Sequence, residues 1–183
     1  MRQTKKITLS AACIALGVLF MALGAFVEVL DLTVAAISSC LMAFVFIEIG
    51  DKYAFGVWIA TSILGAIFFT GSLVWVTYFL ICGIYPILKA YIEKLRRPLW
   101  IPLKLCFFVV SSLLMILIAE ALLGIPFFGD TLNVPFFENN MDLFKGIVVI
   151  ALIVALFVYD IFLTVMIRTY FSSFRDRIKS VLK

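Results

Sequence analysis

The apolar positions of this chain fall into six long blocks separated by short polar breaks. The blocks are residues 7–27, 32–49, 53–70, 73–88, 103–123 and 143–167. A helix needs about 20 predominantly apolar residues to cross a hydrocarbon layer ~30 Å thick. Backbone N–H and C=O groups in lipid must be paired within the chain, so each block predicts a helix. The second to fourth blocks are crowded. Gly50-Asp51 separates the second from the third, and Thr70-Gly71-Ser72 is the turn signal between the third and fourth. A five-span alternative, with a re-entrant segment in that region, stays open. The expected fold is all-α: a polytopic six-helix membrane bundle formed by one integral domain over residues 1–183. Its longest loop, 124–142, is expected on the outside.

Composition agrees with that pattern. Apolar residues make up 65% of the 183 residues and charged ones 14%, against about 25% charged in an ordinary soluble domain. Mean hydropathy is +1.21. A soluble domain, a disordered chain and a nucleic-acid binder are excluded by these values. No polar stretch is long enough for a large catalytic domain outside the membrane. The N-terminus imitates a secretory signal, with a basic start before an apolar run. That run exceeds the ~7–15 residues of a signal core and lacks a small-residue cleavage site, so it reads as an uncleaved first span.

Charge sets the expected topology. If the N-terminus is cytoplasmic and six spans follow, fourteen of the fifteen Lys and Arg residues fall at cytoplasmic ends, and Lys145 alone falls outside. This is the positive-inside pattern, and it places both termini in the cytoplasm of a multi-pass plasma-membrane protein. The net charge of +4 then needs no nucleic acid. A basic inner rim facing the anionic lipid of the bilayer accounts for it.

Chemistry-bearing patterns are sparse. Histidine is absent, which removes the commonest base and metal ligand near neutral pH. Cys13, Cys40, Cys82 and Cys106 lie within apolar runs without a CxxC pair, and read as small core residues. No phosphate-binding loop, zinc-protease motif or nucleophile elbow occurs. Ser38-Ser39 and Ser111-Ser112 lie within spans and read as hydroxyls bonded back to helix carbonyls. No enzyme activity, metal or cofactor is expected.

Four segments carry candidate function. On the first helix Ala11, Ala15 and Ala22 fall within about 40° of one another at ~100° per residue. Ala11-x-x-x-Ala15 is a small-residue pair that permits close helix approach, either to this chain's own helices or to a partner subunit. In the fourth block Pro86 removes the hydrogen bond to the Cys82 carbonyl, so a kink is expected near Gly83. After it comes a basic stretch, 89–97, which reads as a topogenic loop or a coupling segment. In the last block Asp160 lies roughly 10 Å from the inner end. A carboxylate at that depth is costly and should find a partner; Lys89 and Lys104 are the natural ones. An ion pair is the main reading and a proton relay the alternative. Finally, loop 124–142 repeats a Pro-Phe-Phe triplet at 126–128 and 135–137. It reads as an interfacial aromatic belt or as a lid over an outward-facing pocket. Glu120, Asp130, Asn133, Asn139 and Asn140 would be the polar groups of that pocket, with Trp75 and Tyr78 as a stacking wall.

Six helices in under 200 residues, both ends inside, and a basic N-terminus leading into Leu9-Ser-Ala-Ala-Cys-Ile-Ala-Leu-Gly17 resemble the substrate-binding S components of energy-coupling factor (ECF) transporters. In that family an A-x-x-x-A motif on the first helix meets the transmembrane coupling subunit, and Ala11 and Ala15 match it. The resemblance implies capture of a vitamin-like small molecule from outside, with a separate coupling protein and ATPase subunits completing uptake. The outer half here is poor in polar groups, so an apolar or aromatic ligand suits it better than a very polar one. The competing reading is a small non-transporting membrane scaffold, similar to the cell-shape protein MreD, that binds partner proteins.

Overall fold

A computed structural model describes residues 3–27, 31–121, 124 and 141–174. All secondary structure among the described residues is helical. In order these are α1 (Gln3–Phe26), α2 (Asp31–Glu48), α3 (Asp51–Phe68), α4 (Leu73–Thr77), a π-helical turn (Tyr78–Cys82), α5 (Tyr85–Ile92), a 3-10 turn (Arg97–Leu99), α6 (Trp100–Ala121) and α7 (Met141–Thr169), which runs into a second π turn (Tyr170–Phe174). Five segments are long and apolar enough to cross a membrane: α1, α2, the composite α4–α5 segment, α6 and α7. α3 is the sixth candidate. It has the 18 residues of α2, but Asp51 and Lys52 lie in its first turn. α7 starts at Met141, two residues before the predicted block. α5 runs to Ile92, four residues beyond the predicted end of the fourth block.

The composite α4–α5 segment forms the centre. Some 61% of its most apolar window is buried, against 28% for α1 and 17% for α7. One core gathers Val74, Val76, Tyr78, Ile81 and Tyr85 of this segment with Phe108 and Met115 of α6 and Leu156, Tyr159 and Leu163 of α7. A second core joins Cys13, Met42, Val45, Ala54, Val57 and Ile87 across α1, α2, α3 and α5. The outer surface is greasy: Leu19, Leu23, Ile63, Ile67, Leu117, Ile150, Val154 and Val158 are all exposed. Apolar surface on this scale marks a contact with lipid rather than water.

The break in the central segment lies where Pro86 predicts it. Gly83 N–H donates to the Tyr78 carbonyl at 2.7 Å, a wide i→i+5 turn. The two carbonyls this frees are not left bare. Cys82, deprived of its partner by Pro86, accepts from the Tyr159 hydroxyl of α7 at 3.0 Å. Phe79 accepts from the Trp58 indole N–H of α3 at 3.2 Å, and the two rings stack with 5.3 Å between centroids. A side chain at Gly83 would drive into the Trp58 ring and the Tyr78 carbonyl. The glycine is needed for close approach.

α1 packs differently from the expectation raised by its alanines. Its buried positions are Ser10, Cys13, Gly17, Met21 and Gly24. Ser10, Gly17 and Gly24 recur at sevens, so one small residue per two turns faces the neighbours. A Cβ on Gly24 would lie 2.9 Å from Val74 Cγ2, and one on Gly17 would lie 3.1 Å from Thr61 Cγ2. The Ser38 hydroxyl of α2 reaches the Gly17 carbonyl at 3.3 Å.

Candidate ionic site at the basic end

Contacts between helix ends gather the start of α1, the turns at 48–51 and 93–99 and the end of α7 at one end of the bundle: Lys6 Nζ lies 5.7 Å from the Tyr53 ring, and the Tyr91 and Tyr170 hydroxyls donate to Asp51 and Glu48. Lys5, Lys6, Lys52, Lys94, Arg96, Arg97 and Arg168 lie there. Just inside that end, α5, α6 and α7 bring charges together. Lys89 is 3% exposed and Lys104 7%, and Asp160 lies between them.

Asp160 Oδ1 accepts from Lys89 Nζ and from the Tyr85 hydroxyl at 2.6 Å. Oδ2 accepts from Lys104 Nζ at 2.8 Å. Lys89 also donates to the Asp160 carbonyl at 2.8 Å and to Thr164 Oγ1 at 2.6 Å, which uses all three of its N–H donors. Lys104 donates in addition to Glu93 Oε1 at 3.3 Å. Two cations face two carboxylates, so the cluster carries no net charge. Its aromatic floor is the Tyr85 ring, packed on Phe107, Phe108 and Tyr159 with centroids 4.9–5.7 Å away.

Neutrality and full occupancy decide what this arrangement can do. A buried charge without a partner is expensive, and a saturated cluster avoids that cost. Both Asp160 oxygens are engaged, by donors from α5 and α6. The geometry suits a clamp that fixes α5, α6 and α7 at one depth. The path to the surface runs from Asp160 through Lys104 to Glu93, which is 36% exposed.

Part of this cluster had a signature in the sequence beyond Asp160, Lys89 and Lys104. Tyr85, Lys89 and Glu93 stand at i, i+4 and i+8, and Asp160 and Thr164 at i and i+4, which are same-face spacings on a helix. Tyr85 and Thr164 escape attention because each reads as an ordinary residue of an apolar span.

The other sequence candidates do not converge. Tyr78, expected in an outward stacking wall from its place near the end of the fourth block, is 1% exposed and belongs to the core. Trp75 is partly buried against the same core, and its buried indole N–H finds no hydrogen-bond partner among the described residues. Glu120 is exposed near the end of α6. Asp130, Asn133, Asn139 and Asn140 lie outside the described residues. Ala11 and Ala15 are not among the buried positions of α1: Ala11 is exposed and Ala15 is exposed, while Ala22 is half-buried. Among the described residues the Ala11–Ala15 pair therefore does not serve packing. Cys106, read as a core residue, is likewise exposed, whereas Cys13 and Cys82 are buried.

Two clefts open beside the clamp. One, of about 230 Å³, lies between α2 and α7. The other, of about 150 Å³, is bounded by α2, α5 and α7, with Lys89 and Glu93 on its wall. No family model matches the chain, and no curated protein or solved structure matches it.

Proposed function

We propose that this chain is a non-catalytic membrane subunit that docks on a second membrane protein through the Ala11–Ala15 face of α1, and that it serves as the substrate-capture subunit of a vitamin or small-molecule uptake transporter. Its six helices cross the plasma membrane with the basic end and both termini in the cytoplasm. A coupling protein and ATPase subunits are its partners.

The observation that carries this reading is the division of α1 into two small-residue faces. Ser10, Gly17 and Gly24 are consumed by α2, α3 and α4. Ala11 and Ala15 point away from the bundle, where small side chains let another helix approach closely. The charge distribution supports the topology.

The test is purification of the tagged chain from its own membranes in mild detergent. Wild type is expected to bring a coupling protein and ATPases with it. Ala11→Trp and Ala15→Trp are expected to lose them while melting at the wild-type temperature. Partners retained by both variants would overturn the docking role. A vitamin panel then separates capture from scaffold, because a bound ligand raises the melting temperature with concentration. Partners without any stabilising vitamin would favour the scaffold. The scaffold reading uses the same exposed face and has no observation of its own in its favour.

A further inference from the structure

The larger cleft has a shape and a chemistry that the docking reading does not use. It runs between α2 and α7 from Cys40 and Leu163 at its deep end to Ile47 and Tyr170 at the basic end. Seven residues of helix separate each pair, so its length is roughly 10 Å at ~1.5 Å per residue. One leaflet of hydrocarbon is about 15 Å deep, so the cleft covers most of one leaflet. Its volume of about 230 Å³ holds about eight units of ~30 Å³, the size of a water or a methylene.

These dimensions and the lining select among occupants. A helix is ~10 Å across and does not enter a space of this volume. A ring-shaped polar solute needs convergent polar groups to orient it. The cleft's polar atoms are already engaged: Tyr170 donates to Glu48 at 2.9 Å, and the Cys40 thiol reaches the Ala36 carbonyl at 3.4 Å. What remains is Leu41, Phe44, Leu163 and Met166, a surface for a hydrocarbon chain. The bilayer supplies such chains at high local concentration.

Charge then selects the head. The end of the bundle at which the cleft's lining residues Ile47 and Tyr170 lie carries nine described Lys and Arg residues against four described carboxylates, with the neutral clamp included in both counts. Glu48, next to the lining residue Ile47, is bonded by Tyr170. Arg168 follows the lining residue Ile167 in sequence, and Lys52 lies at the same end of the bundle just past the Gly50 turn. We infer that the α2–α7 cleft seats one acyl chain of an anionic glycerophospholipid whose head group meets the basic end of the bundle. This site is independent of the Ala11–Ala15 face and holds for a capture subunit or a scaffold.

Native mass spectrometry of the full chain after exchange into phosphatidylglycerol or phosphatidylcholine tests the inference. Wild type is expected to retain one phosphatidylglycerol and to hold it roughly tenfold more tightly than phosphatidylcholine. Met166→Trp and Leu41→Trp both fill the cleft, the first from an exposed position, and should abolish retention while the melting temperature in detergent stays near wild type. Arg168→Gln and Lys52→Gln should each cut the preference about fivefold, the effect of ~1 kcal/mol per basic residue near a lipid head. Retention unchanged in both cleft-filling variants would overturn the site. Equal retention of the two lipids by wild type would overturn the anionic head, and a co-purified solute or peptide in the cleft would overturn the lipid.

Discussion

α1 and α7 are both apolar along their length and both largely face outward, yet they are fastened in opposite ways. α1 is held by what it lacks. Ser10, Gly17 and Gly24 leave room for neighbouring side chains and backbone, and dispersion over that close contact supplies the attachment. α7 is held by what it carries. Tyr159, Asp160, Thr164 and Tyr170 reach groups on α2 and α5, the carbonyl of Cys82, and Lys104 of α6. In lipid the hydrophobic effect gives no preference for helix over hydrocarbon, so these are the two means available. The first should fail on adding atoms and the second on removing them.

The largest effect is expected at the clamp. Asp160→Leu leaves Lys89 and Lys104 buried beside one half-exposed carboxylate, and should cost about 3–5 kcal/mol, read as reversible unfolding in mixed micelles. The companion variant sharpens the point. Asp160→Leu with Lys89→Met and Lys104→Met removes every buried charge of the clamp, and should recover most of that loss, since well-packed apolar replacements of buried ion pairs are often neutral. Failure of the triple variant to recover would mean that the cluster specifies the position of α7 rather than merely satisfying itself. Asp160→Asn addresses the relay alternative: loss of transport with folding intact would favour proton movement over a clamp.

Enlargement should hurt α1 next. Gly24→Leu forces a branched side chain toward Val74 Cγ2, which lies only 2.9 Å from where the first added carbon would stand. Overpacking of this kind costs about 1–3 kcal/mol. The same unfolding titration reads it, and a loss below that of Tyr159→Phe would break the contrast between the helices. Tyr159→Phe is a truncation by one atom on α7. It strips the Cys82 carbonyl of its substitute donor, and interhelical hydrogen bonds within membranes average about 0.6 kcal/mol with a ceiling near 1.7.

The sequence made much of this visible, and the limits have physical causes. The apolar blocks were legible because a lipid-spanning helix must be long and apolar, but their ends were not: α5 runs four residues past its block. Asp160 was legible because an intramembrane carboxylate demands a partner, and Lys89 and Lys104 were the cations at its depth. Rotational phase was not legible. A helix that is apolar all round has no polar face to show which side is buried, so Ala11 and Ala15 could not be told from Gly17 and Gly24 by period alone. Tyr78 shows the same limit, because its place near the end of a block carried no sign that its side chain is buried in the core, and Pro86 announced a break near Gly83 but not the wide turn over Tyr78–Cys82.

The smallest expected effect completes the contrast within a single helix. Ala15→Leu enlarges α1 as Gly24→Leu does, but on the face directed away from α2, α3 and α4. An exposed position of this kind usually changes stability by no more than about 0.5 kcal/mol, and leucine is a good helix former. The isolated chain in detergent should therefore unfold as wild type does. A cost equal to that of Gly24→Leu would mean that the Ala15 face is already packed, most simply against a second copy, and light scattering of the same sample would show the larger particle. An unchanged titration joined to a lost partner would separate folding from docking on one helix, because only the outer small-residue pair would then be answering to another protein.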